Sequence, residues 1–395
     1  MALKFAERMD NMKASEIREL LALTQKPEII SFAGGLPAPE MFPVKAWKEA
    51  CDKVMDNNGQ VALQYGPTDG VPRLREHLIP RMEKLACKNV DPKDFLILSG
   101  SQQGLDFMPK TMIDKDDYII VESPTYLGAL NAFKAYQPRF IEVPSDDDGM
   151  DLNYLEEQLK THDHVKFCYA IPDFQNPSGR TWSLEKRKGL MELANKYDFA
   201  ILEDNPYGEL RFSGEILPSL RSMDTQGRVA FMGTFSKILS PGIRLGWFHA
   251  DPELLGKFNL IKQGADLQSS TFTQLILAQF LDDNDIESHI QKICDLYGKR
   301  KDIMVESMKK YFPEEVTFTN PEGGLFLWVM MPEYINGREL AKKAIEKKVA
   351  YVPGGAFYAN NPKENCFRLN YSCMPEERIE EGIKRLGETI KDAIR

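Results

Sequence analysis

The sequence lacks long apolar runs, a hydrophobic leader and an excess of basic residues. No window approaches the ~18 uncharged apolar residues of a transmembrane helix, so none is expected. The first ten residues, MALKFAERMD, are charged and contain no apolar core segment, so no signal peptide is predicted. The 50 Lys and Arg against 59 Asp and Glu give a net charge of −9. This acidic balance argues against nucleic-acid binding, which requires clustered cations. We expect neither a nucleic-acid partner nor a membrane partner.

Paired cysteines and metal-ligand clusters are also missing. The six cysteines are scattered and form no CxxC pair, which favours free thiols in a reducing cytoplasm over a disulfide framework or a zinc site. His162 and His164 would share a face of an extended segment, but no further ligand accompanies them. The sequence therefore predicts a cytoplasmic protein without a bound metal.

Apolar runs rich in Val, Ile, Phe and Tyr dominate the middle of the chain. They occupy residues 95–100, 118–122, 139–143, 165–171, 199–204, 229–233 and 245–249. Nearly continuous apolar stretches are typical of strands buried on both faces, and helical patterns such as 127–136 and 183–197 lie between several of them. This alternation predicts an α/β fold with a mainly parallel sheet covered by helices on both sides.

The pattern becomes helical from about Asp251 and ends in a smaller α+β unit. One long amphipathic helix is predicted over 285–310, followed by strands at 325–330 and 366–371 and helices at 337–348 and from Pro375. We expect an N-terminal segment (1–43) that packs against the small domain and the active site. A large domain (44–284) and a small C-terminal domain (285–395) follow.

Two polar motifs follow predicted strands, where open α/β sheets bind ligands. Residues 99–104 (SGSQQG) would open a helix whose free N–H groups suit a phosphate, although a small-residue turn with Ser101 as helix cap is the commoner explanation. Asp204 ends an apolar strand and needs a positive partner or several hydrogen bonds. Its simpler interpretation is a cap of the turn before Pro206.

A third motif, residues 234–246 (TFSKILSPGIRLG), combines hydroxyls with a lysine and an arginine. A lone lysine is usually a solvated surface charge, but apolar residues surround Lys237, so burial and a depressed pKa are plausible. Buried lysines of this kind form Schiff bases with carbonyls, and Arg244 could grip a phosphate. An anion cradle, an acid at a strand end, an amine and an arginine are together the groups that pyridoxal 5'-phosphate requires.

These motifs and others along the chain resemble the fold-type I, class I/II aminotransferases. The resemblance is strongest to the branch of α-aminoadipate, kynurenine and broad-specificity bacterial aminotransferases. The matching motifs are residues 31–37, 41–43, 63–70, 99–104, 122–126, 172–179, 203–208, 234–247, 323–328, 353–357 and 367–370. The resemblance implies a large domain with a mainly parallel seven-stranded sheet that binds pyridoxal phosphate, and a smaller α+β domain.

The resemblance also implies a role for each residue of the site. Lys237 would form the Schiff base with the cofactor, and Asp204 would pair with the pyridinium nitrogen. The other cofactor contacts would come from Tyr207 and Asn176 on the ring hydroxyl oxygen, Tyr126 stacked on the ring, and Ser101, Gln102, Thr234, Ser236 and Arg244 around the phosphate. Tyr65 would reach the neighbouring subunit's phosphate, which implies a homodimer.

Substrate contacts are implied at four residues. Arg368 would bind the α-carboxylate, helped by Asn176 and the Gly35 backbone. Arg18 resembles an arginine that contacts the distal part of the substrate. An exposed helix residue paired with Glu19 explains Arg18 equally well.

The expected activity is transfer of an amino group from an L-amino acid to a 2-oxo acid, with 2-oxoglutarate as acceptor, by a ping-pong mechanism. A C–S or β-lyase or a decarboxylase on the same fold is the first alternative. The second is a cofactor-binding sensor of a transcription regulator, although only 33 residues precede Gly34, too few for a DNA-binding domain. The donor stays open: a distal carboxylate is favoured if Arg18 reaches the pocket, and an aromatic or branched-chain amino acid if the wall is apolar.

Overall fold

The strands form three sheets of eight, four and two strands in the described part of the chain. The structure is a computed structural model that describes residues 3–11 and 26–394. In chain order the strands are β1 (Ile30–Ser31), β2 (Phe95–Leu98), β3 (Tyr118–Ser123), β4 (Arg139–Asp146), β5 (Gly149–Met150), β6 (Val165–Ala170), β7 (Ala200–Asp204), β8 (Val229–Thr234), β9 (Gly246–His249), β10 (Thr317–Phe318), β11 (Phe326–Met330), β12 (Val349–Ala350), β13 (Val352–Pro353) and β14 (Cys366–Asn370).

The eight-stranded sheet, here called the central sheet, has the order β2-β9-β8-β7-β6-β3-β4-β5. Neighbouring strands from β8 through β7, β6 and β3 to β4 run parallel, and β9 runs antiparallel to both β8 and β2. The predicted mainly parallel α/β architecture is therefore confirmed. All seven predicted strands are present, and the sheet has one more than expected. The extra strand β5 exists because the chain turns at Asp147 and Asp148 and folds back antiparallel onto the end of β4.

Both faces of the central sheet are covered, as the continuous apolar runs predict. Phe167 and Tyr169 on β6 pack into one hydrophobic cluster, and Cys168 and Ala170 pack into a second. Successive side chains of a strand point to opposite faces, so this division places a core on each side of the sheet. The strand ends between these cores are the positions at which polar residues can meet a ligand.

The helices lie between and after the strands. They are α1 (Val44–Ala62), α2 (Pro72–Glu76), α3 (Ile79–Lys84), α4 (Ser101–Met112), α5 (Leu127–Lys134), α6 (Leu152–Leu159), α7 (Leu184–Tyr197), α8 (Leu220–Met223), α9 (Pro252–Ala265), α10 (Thr271–Asp283), α11 (Ile286–Tyr311), α12 (Gly337–Glu346) and α13 (Glu376–Lys391). Short 3-10 turns occupy Glu7–Asn11, Pro39–Met41, Pro92–Asp94, Pro241–Ile243 and Gly354–Phe357. No helix in these described ranges is long and apolar enough to cross a membrane.

Capping residues explain where several helices begin. The Ser183 hydroxyl accepts a hydrogen bond from the Lys186 N–H at the start of α7, and Asp285 caps the long helix α11 in the same way. The interpretation of Ser101 as a cap is wrong. Gly100 holds the N-cap position of α4 with a positive φ of 79°, and no side chain caps the helix. Its first N–H groups are therefore free for another acceptor.

The chain after α11 builds the four-stranded sheet, here called the C-terminal sheet. Its order is β10-β11-β14-β13, and every neighbouring pair is antiparallel. The N-terminal segment joins this part of the molecule, because β1 pairs in parallel with β12. All six cysteines are free thiols.

Candidate active site

A cavity of 310 Å³ opens where the central sheet meets the C-terminal sheet. The ends of β7 and β8 contribute to its wall, and so does the start of α4. It brings together twelve of the fourteen predicted site residues: Gly35, Ser101, Gln102, Tyr126, Asn176, Asp204, Tyr207, Thr234, Ser236, Lys237, Arg244 and Arg368. Five chain segments at the ends of central-sheet strands, the segment after β1, and strands β11 and β14 of the C-terminal sheet therefore converge on one space.

A larger groove of 690 Å³ lies elsewhere, between residues 179–183 and 317–322. Its lining contains none of the predicted site residues. The smaller cavity is the candidate site because it alone of these two combines an amine, a buried carboxyl group and two arginines.

The Lys237 amine lies in this cavity, a few residues after the end of β8. Its Nζ donates a 2.7 Å hydrogen bond to the carbonyl of Gly35. Desolvation lowers the pKa of Lys237 to about 8, and the positive charges of Arg368 and Arg244 act in the same direction. A pKa near neutrality leaves a fraction of the amine unprotonated, which is the form that attacks carbonyls and accepts protons.

The Asp204 carboxyl group ends β7 and is buried. Its Oδ2 accepts a 2.7 Å hydrogen bond from the Tyr169 hydroxyl, and its Oδ1 is buried without a partner. Burial raises the pKa of Asp204 to about 7, although the Tyr169 hydrogen bond acts to lower it. A cationic N–H donor at Oδ1 would satisfy the orphaned oxygen and restore the charged form.

The Arg368 guanidinium enters from β14 and is held on several sides. Nη1 donates to Oδ1 of Asn176 at 2.9 Å, Nη2 donates to the carbonyl of Ala33 at 2.7 Å, and Nε is buried without a partner. The guanidinium carbon lies 4.1 Å from the ring centre of Phe326 and 5.2 Å from that of Phe357. Burial lowers the pKa of Arg368 to about 10, so the group is still charged at neutral pH.

The Asn176 side chain joins Arg368 to Tyr207. Its Nδ2 donates to the Tyr207 hydroxyl at 3.3 Å while its Oδ1 accepts from Arg368. Burial raises the pKa of Tyr207, so its hydroxyl stays protonated and is available as a donor.

The part of the cavity wall at the start of α4 is suited to an anion. Ser101 and Gln102 form the first turn of α4, where the N–H groups and the helix dipole favour negative charge. A Cβ on Gly100 would lie 2.3 Å from Nη2 of Arg244, so only glycine lets this arginine approach the helix start. On the neighbouring turn, the Thr234 hydroxyl donates to Oγ of Ser236 at 3.1 Å.

The structure describes only one of the two remaining predicted residues. Tyr65 is 78% exposed and does not contribute to the cavity wall. Arg18 lies outside the described residues.

Sequence reasoning missed Tyr169 and the two aromatic rings beside Arg368. A tyrosine inside a buried strand needs an acceptor, and that signal was present in the run 165–171. Which carboxyl group it would meet depends on the order of strands, because Tyr169 and Asp204 meet only when β6 and β7 are neighbours. The backbone carbonyl of Ala33 carries no signal in the sequence.

Comparison with known proteins gives the family. The sequence matches the family described as aminotransferase class I and II over residues 28–386. The chain is 47% identical to aromatic-amino-acid aminotransferase 1 of Thermococcus litoralis, over 99% of this chain and 95% of that protein.

Two solved structures are similar over nearly the whole chain. The kynurenine aminotransferase of Pyrococcus horikoshii, solved with pyridoxamine phosphate, has a TM-score of 0.95 at 43% identity, covering 99% of this chain and 98% of that one. The α-aminoadipate aminotransferase of Thermus thermophilus, solved with a phosphopyridoxyl-leucine compound, has a TM-score of 0.91 at 38% identity, covering 98% and 97%.

The cavity passes an independent test for pyridoxal phosphate. The orphaned Oδ1 of Asp204 suits a pyridinium N–H, the uncapped start of α4 beside Arg244 suits a phosphate, and the amine of Lys237 suits an aldehyde. These are three different demands, and one cavity meets all of them. The chain belongs to the aminotransferase class I and II family and uses pyridoxal phosphate.

Proposed function

We propose that Lys237, Asp204 and Arg368 carry out amino transfer in this chain. The observation that carries this proposal is their convergence in one cavity of 310 Å³. Lys237 offers an amine of lowered pKa, Asp204 an unpaired carboxyl oxygen, and Arg368 an unpaired Nε. Such groups are costly to bury unless a ligand completes them.

Lys237 is the proton carrier of the proposed mechanism. Bound pyridoxal phosphate supplies an aldehyde that holds the amino group and a ring that withdraws electrons from the substrate Cα. The unprotonated Nζ of Lys237 would take up the substrate Cα proton and later give a proton back, acting first as base and then as acid. Asp204 keeps a proton at the ring nitrogen by accepting its hydrogen bond at Oδ1.

Arg368 orients the substrate in this proposal. Its cationic fork binds the α-carboxylate, with Asn176 holding Nη1 in place. Fixing the carboxylate decides which bond at Cα is broken, so the clamp favours loss of the proton over loss of CO2. When pyridoxal phosphate is bound, the Tyr207 and Asn176 side chains would hold its ring oxygen, and Tyr126 would lie against the ring. The phosphate would be held by Ser101, Gln102, Thr234, Ser236 and Arg244.

Substrate choice is part of the proposal. Among the described residues that line the cavity, the cations are Lys237, Arg244 and Arg368. If Arg244 binds phosphate and Arg368 the α-carboxylate, no described cation is left for a second carboxylate of the donor. The remaining wall includes Leu105, Leu127, Ile171 and Phe326, so we propose an aromatic or other apolar L-amino acid as donor. This choice agrees with the aromatic-amino-acid relative.

The acceptor that we propose is 2-oxoglutarate. Its distal carboxylate needs a cation beyond those of the described cavity. The proposed contact of Arg18 with the distal part of the substrate would supply it, and the same contact would then also admit a donor with a distal carboxylate beside the apolar donors.

We also propose a homodimer with shared sites and a cytoplasmic location. Large apolar side chains are exposed on one stretch of the chain, at Val44, Val61, Leu63 and Tyr65. A second copy would cover this stretch and bring Tyr65 to its partner's phosphate site. Free thiols at all six cysteines agree with a reducing compartment.

The domain division at 43/44 and 284/285 is likewise proposed. It is supported by the pairing of β1 with β12 and by the start of α11 at Ile286.

The experiment that tests the function is a half-reaction. Single L-amino acids are added to the holoenzyme without a 2-oxo acid, and absorbance follows conversion of the cofactor to its amino form. We expect conversion with aromatic donors, reversal on adding 2-oxoglutarate, and no conversion in the Lys237→Ala variant. Release of ammonia and pyruvate without conversion of the cofactor would instead identify a lyase. Cofactor binding with neither reaction would identify a sensor.

A further inference from the structure

The two aromatic rings beside Arg368 are held in different ways. Phe326 belongs to β11 and its ring packs edge-on against Tyr207, with ring centres 5.7 Å apart. Phe357 ends the short 3-10 turn Gly354–Phe357, and irregular chain follows it up to β14. The position of the second ring therefore depends on what anchors residues 357–361, here called the clamp loop.

The clamp loop is anchored on the central sheet. Oε1 of Glu142 accepts the Ala359 N–H at 2.5 Å, and Oε2 accepts the Asn361 N–H at 3.1 Å. The Asn360 side chain donates to the Phe140 carbonyl at 3.0 Å. The Glu142 carboxylate thus accepts hydrogen bonds from two backbone N–H groups of the clamp loop. The Asn360 side chain makes a third hydrogen bond to the same strand.

Strand β4 has an open side where this contact occurs. Its other neighbour, β5, pairs only with Ser145 and Asp146, so within residues 3–11 and 26–394 the stretch around Phe140 and Glu142 has no strand on that side. The clamp loop covers this open edge from the C-terminal part of the molecule. A further bond runs from the Thr125 N–H to the Phe357 carbonyl at 2.8 Å, directly before Tyr126.

These contacts connect Glu142 to the substrate pocket through the backbone. We infer that Glu142 is a positioning residue for carboxylate binding: it fixes the clamp loop so that the Phe357 ring holds the Arg368 guanidinium in its orientation. The inference rests on the proposed role of Arg368. A carboxylate suits this task because it only accepts, and a charged acceptor strengthens both bonds. An amide of the same shape would turn an N–H toward one of the two backbone donors.

The test uses the Glu142→Gln variant as holoenzyme, with Glu322→Gln as matched control. Glu322 is also a carboxylate between the two parts of the molecule, since it binds Arg211, but it does not contact the clamp loop. Binding of 3-phenylpropionate, a carboxylate without an amine to transfer, is measured by calorimetry. Steady-state kinetics give KM and kcat, and hydrogen exchange with mass spectrometry reports on residues 357–361.

We expect the Kd of 3-phenylpropionate and the KM of the amino acid to rise about fivefold in Glu142→Gln, the effect of losing one net hydrogen bond. Values of kcat and of cofactor affinity should change less than about twofold, because no group that moves protons is altered. Exchange should become faster at Ala359 and Asn361. Asn360→Ala should shift the same quantities in the same direction by a smaller factor, and Glu322→Gln should shift none.

Two results would overturn the inference. One is faster exchange in the clamp loop with unchanged Kd and KM, which would show that the loop does not influence carboxylate binding by Arg368. The other is unchanged exchange, which would mean that Glu142 does not anchor the loop. An Arg368→Lys variant separates these results from failure of the proposed function. If it binds 3-phenylpropionate as the unaltered chain does, the role of Arg368 itself is wrong.

Discussion

The Tyr169 hydroxyl donates a 2.7 Å hydrogen bond to Oδ2 of Asp204, and the other oxygen of the same carboxyl group has no partner. The phenol thereby fixes which oxygen is left for the cofactor. It also offsets part of the desolvation that raises the pKa of Asp204. Asp204 can therefore accept a hydrogen bond from the cofactor at Oδ1, because Oδ2 is already bonded to Tyr169.

The Tyr169→Phe variant should weaken the pairing of Asp204 with the ring nitrogen. Without the phenol the pKa of Asp204 rises further, so its charged form is less available. A hydrogen bond to a charged group contributes about 1.5–3 kcal/mol, so kcat/KM should fall by about tenfold or more. The pH dependence of the absorbance of the bound cofactor gives a second readout. An unchanged spectrum and unchanged kcat/KM would show that Tyr169 has no influence on Asp204.

Asp204 should destabilise the apoprotein at alkaline pH. Its pKa is about 7 in the folded chain against an ordinary 3.8, so the folded state binds a proton between these values. Stability is therefore lost as pH rises from about 4 to about 7, by an amount on the order of 4 kcal/mol. The Asp204→Asn apoprotein should melt several degrees above the unaltered apoprotein at about pH 8, with a smaller difference at about pH 5. If the Asp204→Asn apoprotein melts below the unaltered apoprotein at both pH values, the buried Asp204 carboxylate does not destabilise the fold.

Lys237 should react with free pyridoxal phosphate in a pH-dependent manner. Only the unprotonated amine attacks an aldehyde, and desolvation holds the pKa of Lys237 at about 8. The rate at which apoprotein takes up the cofactor should increase with pH along a sigmoidal curve. The midpoint of this curve should lie near pH 8. Stopped-flow absorbance measures this rate. Because Arg368 also lowers the pKa, Arg368→Leu should move the midpoint upward, whereas a midpoint near that of ordinary lysine in the unaltered chain would refute the shift.

The sequence predicts local elements better than distant contacts. The strand ending at Asp204 and the helix following Ser183 depend on short apolar runs and a capping residue, which the sequence displays directly. The strand β5 was missed because two residues that fold back on a neighbour carry no periodic pattern. Such short pairings are decided by the strand beside them.

The site shows the same limit. The family motifs place Lys237, Asp204 and Arg368 without any structure, because each sits in a characteristic run of residues. Two contacts were not visible in this way: the Phe357 ring over Arg368, and the hydrogen bonds of Glu142 to the clamp loop. The second contact joins chain segments more than 200 residues apart. Neither contact has a signature in the residues around it.

Gly100 should be irreplaceable at the phosphate side of the cavity. It has a φ of +79°, and an added Cβ would lie 2.3 Å from Nη2 of Arg244. The Gly100→Ala variant would have to adopt a strained backbone and move the arginine away from the start of α4. We expect the Kd of pyridoxal phosphate to rise at least about tenfold, as expected for a lost charged contact. The matched control is Gly256→Ala in α9, where a Cβ meets nothing within 4 Å, and alanine should there leave the Kd unchanged. If both variants bind the cofactor alike in fluorescence titrations, the approach of Arg244 to the helix start plays no part in holding the phosphate.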